Sequence, residues 1–110
     1  MNNDGANWGA PYEEFPESAW DRVLDVNVKG VFHLTRRLTP QLAASATPED
    51  PSRVINIGSI DGITVPSLET YAYSASKAAV HHMTAGLAKK LSRKHITVNA
   101  VAPGPFQSRM

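Results

Sequence analysis

The sequence predicts an α/β fold built on parallel strands, and three observations predict it. Two short β-branched runs, "RVINIGS" at 53–59 and "HITVNAVAPG" at 95–104, each close on glycine and have the character of buried strands. An alanine-rich stretch from Tyr71 to about Lys94 lies between them and has the composition of a long helix. Strands joined by a helix of that length need a crossover connection, which makes them parallel.

The elements follow in order. "NNDGANWGAP" is turn chemistry, with Asn, Asp, Gly and Pro in quick succession. "PESAWD" opens a helix, with Ser18 expected as N-cap and Asp21 completing a capping box. Apolar residues at helical spacing (Val23, Leu24, Val31, Phe32, Leu34, Leu38 and Leu42) carry this helix from Trp20 to about Ala46, and Pro40 is expected to kink or break it. "TPEDPS" is a polar loop, and the first strand runs from Arg53 to Ile57 or just beyond. "IDGITVPSLET" is a long loop. The second helix ends in Lys89, Lys90, Arg93 and Lys94, which complement the negative end of its dipole.

Composition narrows the function. At 110 residues the chain is one domain at most, with a net charge of +1. No basic stripe is interleaved with aromatics, which leaves nucleic-acid binding without support. The absence of cysteine excludes disulfides and thiolate metal sites, and it suits a reducing, cytoplasmic setting. No apolar run reaches membrane-spanning length, and the first residues lack the pattern of a secretory signal.

In open α/β sheets ligands bind beyond the carboxyl ends of the strands. Ser59 lies just past one strand end and Pro103-Gly104 just past the next, while Tyr73 and Lys77 sit near the start of the intervening helix. All four are expected at one edge of the sheet. Tyr73 and Lys77 are four residues apart and therefore one turn apart on one helix face. An ammonium there is expected to stabilise the phenolate and bring a group that titrates at about 10 closer to neutrality. Taken singly these residues have plain roles: a Tyr-x-x-x-Lys match is weak, Ser59 would cap a loop, and Asn27 is a poor helix former. Convergence at one sheet edge favours chemistry.

"NIGSIDG", "YAYSASKAAV" and "ITVNAVAPG", in that order and spacing, resemble the short-chain dehydrogenase/reductase family. "DVNVKGVF" is similar to its asparagine motif, and "NNDG" to its Asn-Asn-Ala-Gly turn with Asp4 in place of alanine. The resemblance covers essentially the whole chain. Among members it is nearest the 3-oxoacyl-[acyl-carrier-protein] reductases of the rhamnolipid type. It implies the C-terminal part of a Rossmann-type, doubly wound parallel sheet, incomplete in these 110 residues. It also implies NAD(P)H-dependent reduction of a 3-oxoacyl-type carbonyl, with NADP(H) preferred over NAD(H).

The family pattern implies a catalytic tetrad of Asn27, Ser59, Tyr73 and Lys77. Tyr73 is the general acid, Ser59 holds the substrate oxygen, Lys77 supports Tyr73 and the nicotinamide ribose, and Asn27 holds a water that links Lys77 to solvent. Asn2, Gly5, Pro103, Gly104 and Ser108 fall at its cofactor-contacting positions, together with Tyr73 and Lys77. The ending "SRM" corresponds to the start of its substrate loop. Asp61 departs from the small or apolar residue usual beside the serine.

Tyr71, without a lysine four places on, is expected to pack or to face substrate. His33, His81, His82 and His95 are expected to be surface or packing residues, and no metal site is expected. Glu13, Glu14, Glu49 and Asp50 are expected to be solvated.

The family's glycine-rich dinucleotide turn has no match in the 110 residues, nor has its final helix and strand. The expectation is therefore a chain truncated at both ends, lacking roughly three βα units at about 30 residues each, and inactive alone. In full-length form it would be a homo-oligomer through its two long helices. The alternative is a non-catalytic, truncated relative that docks on a full-length member through those same helices.

Overall fold

The computed structural model describes residues 8–66 and 68–103. Asn2, Gly5, Gly104 and Ser108 lie outside them. A 3-10 turn (Tyr12–Glu14) leads into α1 (Glu17–Leu24), which passes through a π-helical turn (Asp25–Lys29) into α2 (Gly30–Ser45). β1 (Ser52–Ile57), a 3-10 turn (Ile60–Gly62), α3 (Tyr71–Leu91), a further 3-10 turn (Ser92–Lys94) and β2 (Ile96–Val101) follow.

Two helical details differ from expectation. The capping box at Ser18 does not form: α1 already starts at Glu17, behind an extended Pro16 at φ −76° and ψ 143°. Proline supplies no N–H and holds its own φ, so the helix starts immediately after it, with Glu17 favourable at the positive end of the dipole. Pro40 does not end α2, which continues to Ser45. Pro40 and Arg36, the residue whose carbonyl loses its partner, are both exposed, so water can serve that carbonyl. The irregularity of the long helix falls instead at Asn27, inside the π turn.

β1 and β2 pair in parallel, with Val54 opposite Val98 and Ile57 opposite Val101. Val54, Ile96 and Val98 form the core with Leu91, and Leu42 and Ala43 of α2 and Leu87 and Ala88 of α3 pack on it. Because inward residues alternate along a strand, both helices cover one face of the sheet. The strands are thus covered on one side only among the described residues: Arg53, Thr97, Asn99 and Val101 on the other are exposed. The β-branched outward residues Ile55, Ile57 and Val101 made both strands look buried on two faces.

α3 closes against β2 through His95, which adopts the left-handed conformation at φ 59° and whose carbonyl accepts the Ser52 N–H at 3.0 Å.

Candidate active site

Strand pairing continues past the carboxyl ends of β1 and β2. Gly58 N–H donates to the Val101 carbonyl at 2.7 Å, and Ile60 N–H to the Pro103 carbonyl at 3.0 Å. Ser59 and Pro103 are thereby held on adjacent extensions of β1 and β2 beyond the sheet edge. Ser59 is extended, at φ −163° and ψ 151°, and its hydroxyl oxygen accepts the Asp61 N–H at 3.1 Å, capping the 3-10 turn. A hydroxyl that accepts one bond still has its own proton to donate. Gly62 presses this turn onto α3: a Cβ there would lie 2.7 Å from Ala78 N and from the Lys77 carbonyl carbon. Only a residue without a side chain fits that close approach.

On α3, Tyr73 and Lys77 share one face as the spacing requires. Lys77 Nζ lies 5.6 Å from the centroid of the Tyr73 ring, within range of a cation–π contact. Lys77 is 5 % exposed and donates to the Ile57 carbonyl, the last of β1, at 3.0 Å. It pairs with no carboxylate among the described residues, and burial pulls its ammonium below the ordinary lysine range. Tyr73 is half-buried, and its hydroxyl has no hydrogen-bond partner among the described residues.

Asn27 is fully buried in the π turn, and its Nδ2 donates to Ser76 Oγ at 2.9 Å. Ser76 Oγ in turn donates to the Tyr73 carbonyl at 2.7 Å. A π turn inserts one extra residue and re-aims the side chains within it, which is how a poor helix former inside a long helix comes to face a neighbouring helix. Asn27 is thus tied to the turn of α3 that carries Tyr73 and Lys77. Lys77 links the end of β1 to the Tyr73 ring, Asn27 is joined to the same turn of α3 through Ser76, and no hydrogen bond connects Ser59 to Tyr73.

Of the other candidates, Tyr71 packs. Its ring meets Phe15 edge-on at 5.5 Å and Tyr12 at 5.9 Å. Its hydroxyl donates to Glu69 Oε1 at 2.9 Å, and that bond pushes its pKa up. Asp50 is solvated as expected, its side chain 83 % exposed, and makes a surface ion pair with Arg53 at 3.2 Å. No cluster of three metal-ligating side chains exists among the described residues. A cleft of about 460 Å³ opens between the 61–70 loop and α3, lined by Gly62, Val65, Leu68, Tyr71 and Ser74 but not by Ser59, Tyr73 or Lys77.

His81, expected to be a surface or packing residue, has a specific polar contact instead: its Nε2 lies 3.3 Å from Ser59 N and 3.2 Å from Ser59 O. The available signal was its spacing: Tyr73, Lys77 and His81 are four apart and share one helical face.

A family profile described as short chain dehydrogenase matches residues 1–110. The chain belongs to the short chain dehydrogenase family. It is 49% identical over 110 residues to the rhamnolipids biosynthesis 3-oxoacyl-[acyl-carrier-protein] reductase of Pseudomonas aeruginosa, covering all of this chain and 43% of that protein. To the 3-oxoacyl-[acyl-carrier-protein] reductase FabG of Thermotoga maritima it is 37% identical, again over all of this chain and 43% of that one. Among solved structures, the Pseudomonas aeruginosa RhlG/NADP active-site complex superposes with a TM-score of 0.92 at 50% identity, covering 99% of this chain and 43% of that one. The short chain dehydrogenase chain described here therefore spans less than half the length of these relatives, and its incomplete, Rossmann-type parallel sheet is the fold they share.

Proposed function

We propose that these residues form the catalytic half of an NADP(H)-dependent carbonyl reductase acting on a 3-oxoacyl-type substrate. The observation that carries the reading is the buried Lys77 ammonium, held at the end of β1 beside the Tyr73 ring and without a carboxylate partner among the described residues. A buried cation with donors to spare suits neutral oxygen acceptors such as ribose hydroxyls, so the residues present fit a nicotinamide nucleotide. When bound, that nucleotide supplies the hydride that reaches the carbonyl carbon. Two relatives are 3-oxoacyl-[acyl-carrier-protein] reductases and the Pseudomonas aeruginosa structure is an NADP complex, which supports the substrate class and the choice of NADP.

On this reading Ser59 donates its free proton to the carbonyl oxygen, where negative charge develops. Tyr73 Oη gives its own proton to that same oxygen as the C=O bond is reduced to an alcohol, and takes it back in the oxidative direction. Lys77 stabilises the negative charge left on the phenol. Asn27 holds the turn of α3 through Ser76, and as a further proposal binds the water that links Lys77 to solvent. By the resemblance to the family, Pro103, Gly104 and Ser108 contact the nicotinamide end of the cofactor, and Asn2 and Gly5 are further cofactor-binding residues.

The 110 residues contain no glycine-rich dinucleotide turn. Alone they are expected to bind NADPH negligibly and to reduce nothing at a useful rate. The test is to join them to the remainder of the Pseudomonas relative, in place of its matching segment, so that both the N-terminal half and the C-terminal end are supplied. NADPH oxidation is then followed with a 3-oxobutanoyl thioester. Turnover by the joined chain and none by the 110 residues is expected; micromolar NADPH binding by the 110 residues alone, or an inert joined chain that is folded, would overturn the reading.

We further propose that the full-length protein is a homo-oligomer built on the long helices. α2 exposes Leu34 and Leu38, one turn apart on one side of the helix, as apolar surface for a second copy to cover. Light scattering on the full-length protein is expected to give a dimer or tetramer, and a monomer on Leu34→Lys with Leu38→Lys; a monomeric wild type would rule this out.

A further inference from the structure

His81 meets the main chain of Ser59 through a single ring nitrogen, Nε2, at 3.3 Å from the amide nitrogen and 3.2 Å from the carbonyl oxygen. One nitrogen serves one of these two at a time: bare, it accepts the N–H; protonated, it donates to the C=O. The surroundings decide between them. The Ser59 carbonyl already accepts the Gly62 N–H at 3.0 Å. The Ser59 N–H has no partner other than His81 among the described residues. A buried amide left unpaired is costly, so the bare nitrogen, with the proton on Nδ1, satisfies both groups.

The contact is built closely. A Cβ on Gly58 would collide with Cε1 and Nε2 of the His81 ring, so glycine at that place lets the imidazole lie against the strand end. His81 is also the last of three successive attachments of α3 to the end of β1. Thr84 Oγ1 accepts from Asn56 Nδ2 at 3.1 Å, Lys77 Nζ donates to the Ile57 carbonyl at 3.0 Å, and His81 takes the Ser59 amide.

We propose that His81 is a positioning residue for Ser59: its Nε2 lone pair holds the Ser59 main chain and so aims the hydroxyl at the substrate oxygen. The inference rests on the reading of Ser59 given above. His81→Leu keeps apolar bulk but no acceptor, whereas His81→Gln restores an oxygen at the reach of Nε2. In the full-length protein, His81→Leu is expected to lower kcat for 3-oxobutanoyl thioester reduction by up to about 100-fold, the scale of a misplaced catalytic group, with KM for NADPH little changed. His81→Gln is expected to recover most of that loss.

Two measurements on the folded wild type and variants stand apart from turnover. Nitrogen-15 spectra of the labelled imidazole are expected to show Nε2 bare and Nδ1 protonated. The Ser59 amide is expected to exchange slowly in wild type and His81→Gln, and fast in His81→Leu. A protonated Nε2, a Gln variant no better than Leu, or full turnover in His81→Leu beside an inactive Ser59→Ala would overturn the positioning role. Full turnover in Ser59→Ala would remove the role assigned to the serine itself, and with it any positioning by His81.

Discussion

Tyr73→Phe, made in the full-length protein, is expected to cut kcat for ketone reduction by about 10²–10⁴-fold, the usual worth of a positioned general acid. Affinity for NADPH and thermal stability are expected to stay near wild type. The separation follows from the environment of the phenol. Its hydroxyl makes no hydrogen bond among the described residues, so removing it strands no internal partner. Phenylalanine keeps the ring that Lys77 Nζ approaches at 5.6 Å, and with it the packing of the half-buried side chain. Steady-state kinetics with a cofactor titration on the same sample check this. A variant that still turns over at the wild-type rate would show that the proton comes from elsewhere.

Lys77→Ala is expected to impair catalysis and cofactor binding together, because one ammonium serves both. It also loses the bond to the Ile57 carbonyl, so part of its effect is a looser strand end. A pH experiment isolates the charge. Burial lowers the Lys77 pKa in the folded chain, so the unfolded chain holds that proton more tightly. The folded state is penalised while the lysine is charged; the penalty fades as pH rises through the lowered folded value toward the unfolded value of about 10.4. Compared with Lys77→Met, which keeps the stem but not the charge, wild type is therefore expected to gain stability over that alkaline window. Denaturant unfolding at a series of pH values measures the difference. A gap between the two proteins that stays constant across the window would contradict the burial argument.

Much of the fold was legible because its signals are local or periodic. Parallel pairing followed from two β-branched runs around a long helix, and the spacing of Tyr73 and Lys77 placed both on one face of α3. The failures have physical causes as well. Ser18 and Asp21 form a sound capping pattern, but Pro16 starts the helix first, and a side chain already inside a helix cannot cap it. Pro40 is a helix breaker whose cost solvent relieves at an exposed position. The π turn at Asn27 has no pattern in one sequence, since an extra residue in a turn is stabilised by what it packs against.

The amino-acid sequence by itself determined the parallel α/β frame, the order of Ser59, Tyr73 and Lys77 along it, and membership of a family that reduces or oxidises its substrates. Tertiary structure alone decided that Lys77 is buried beneath the strand end, that Asn27 reaches α3 through Ser76, and that His81 touches Ser59. Such contacts join residues 20 to 49 positions apart. Helical and strand periodicity encode which face a side chain occupies, whereas its partner across such a distance is set by how the elements pack.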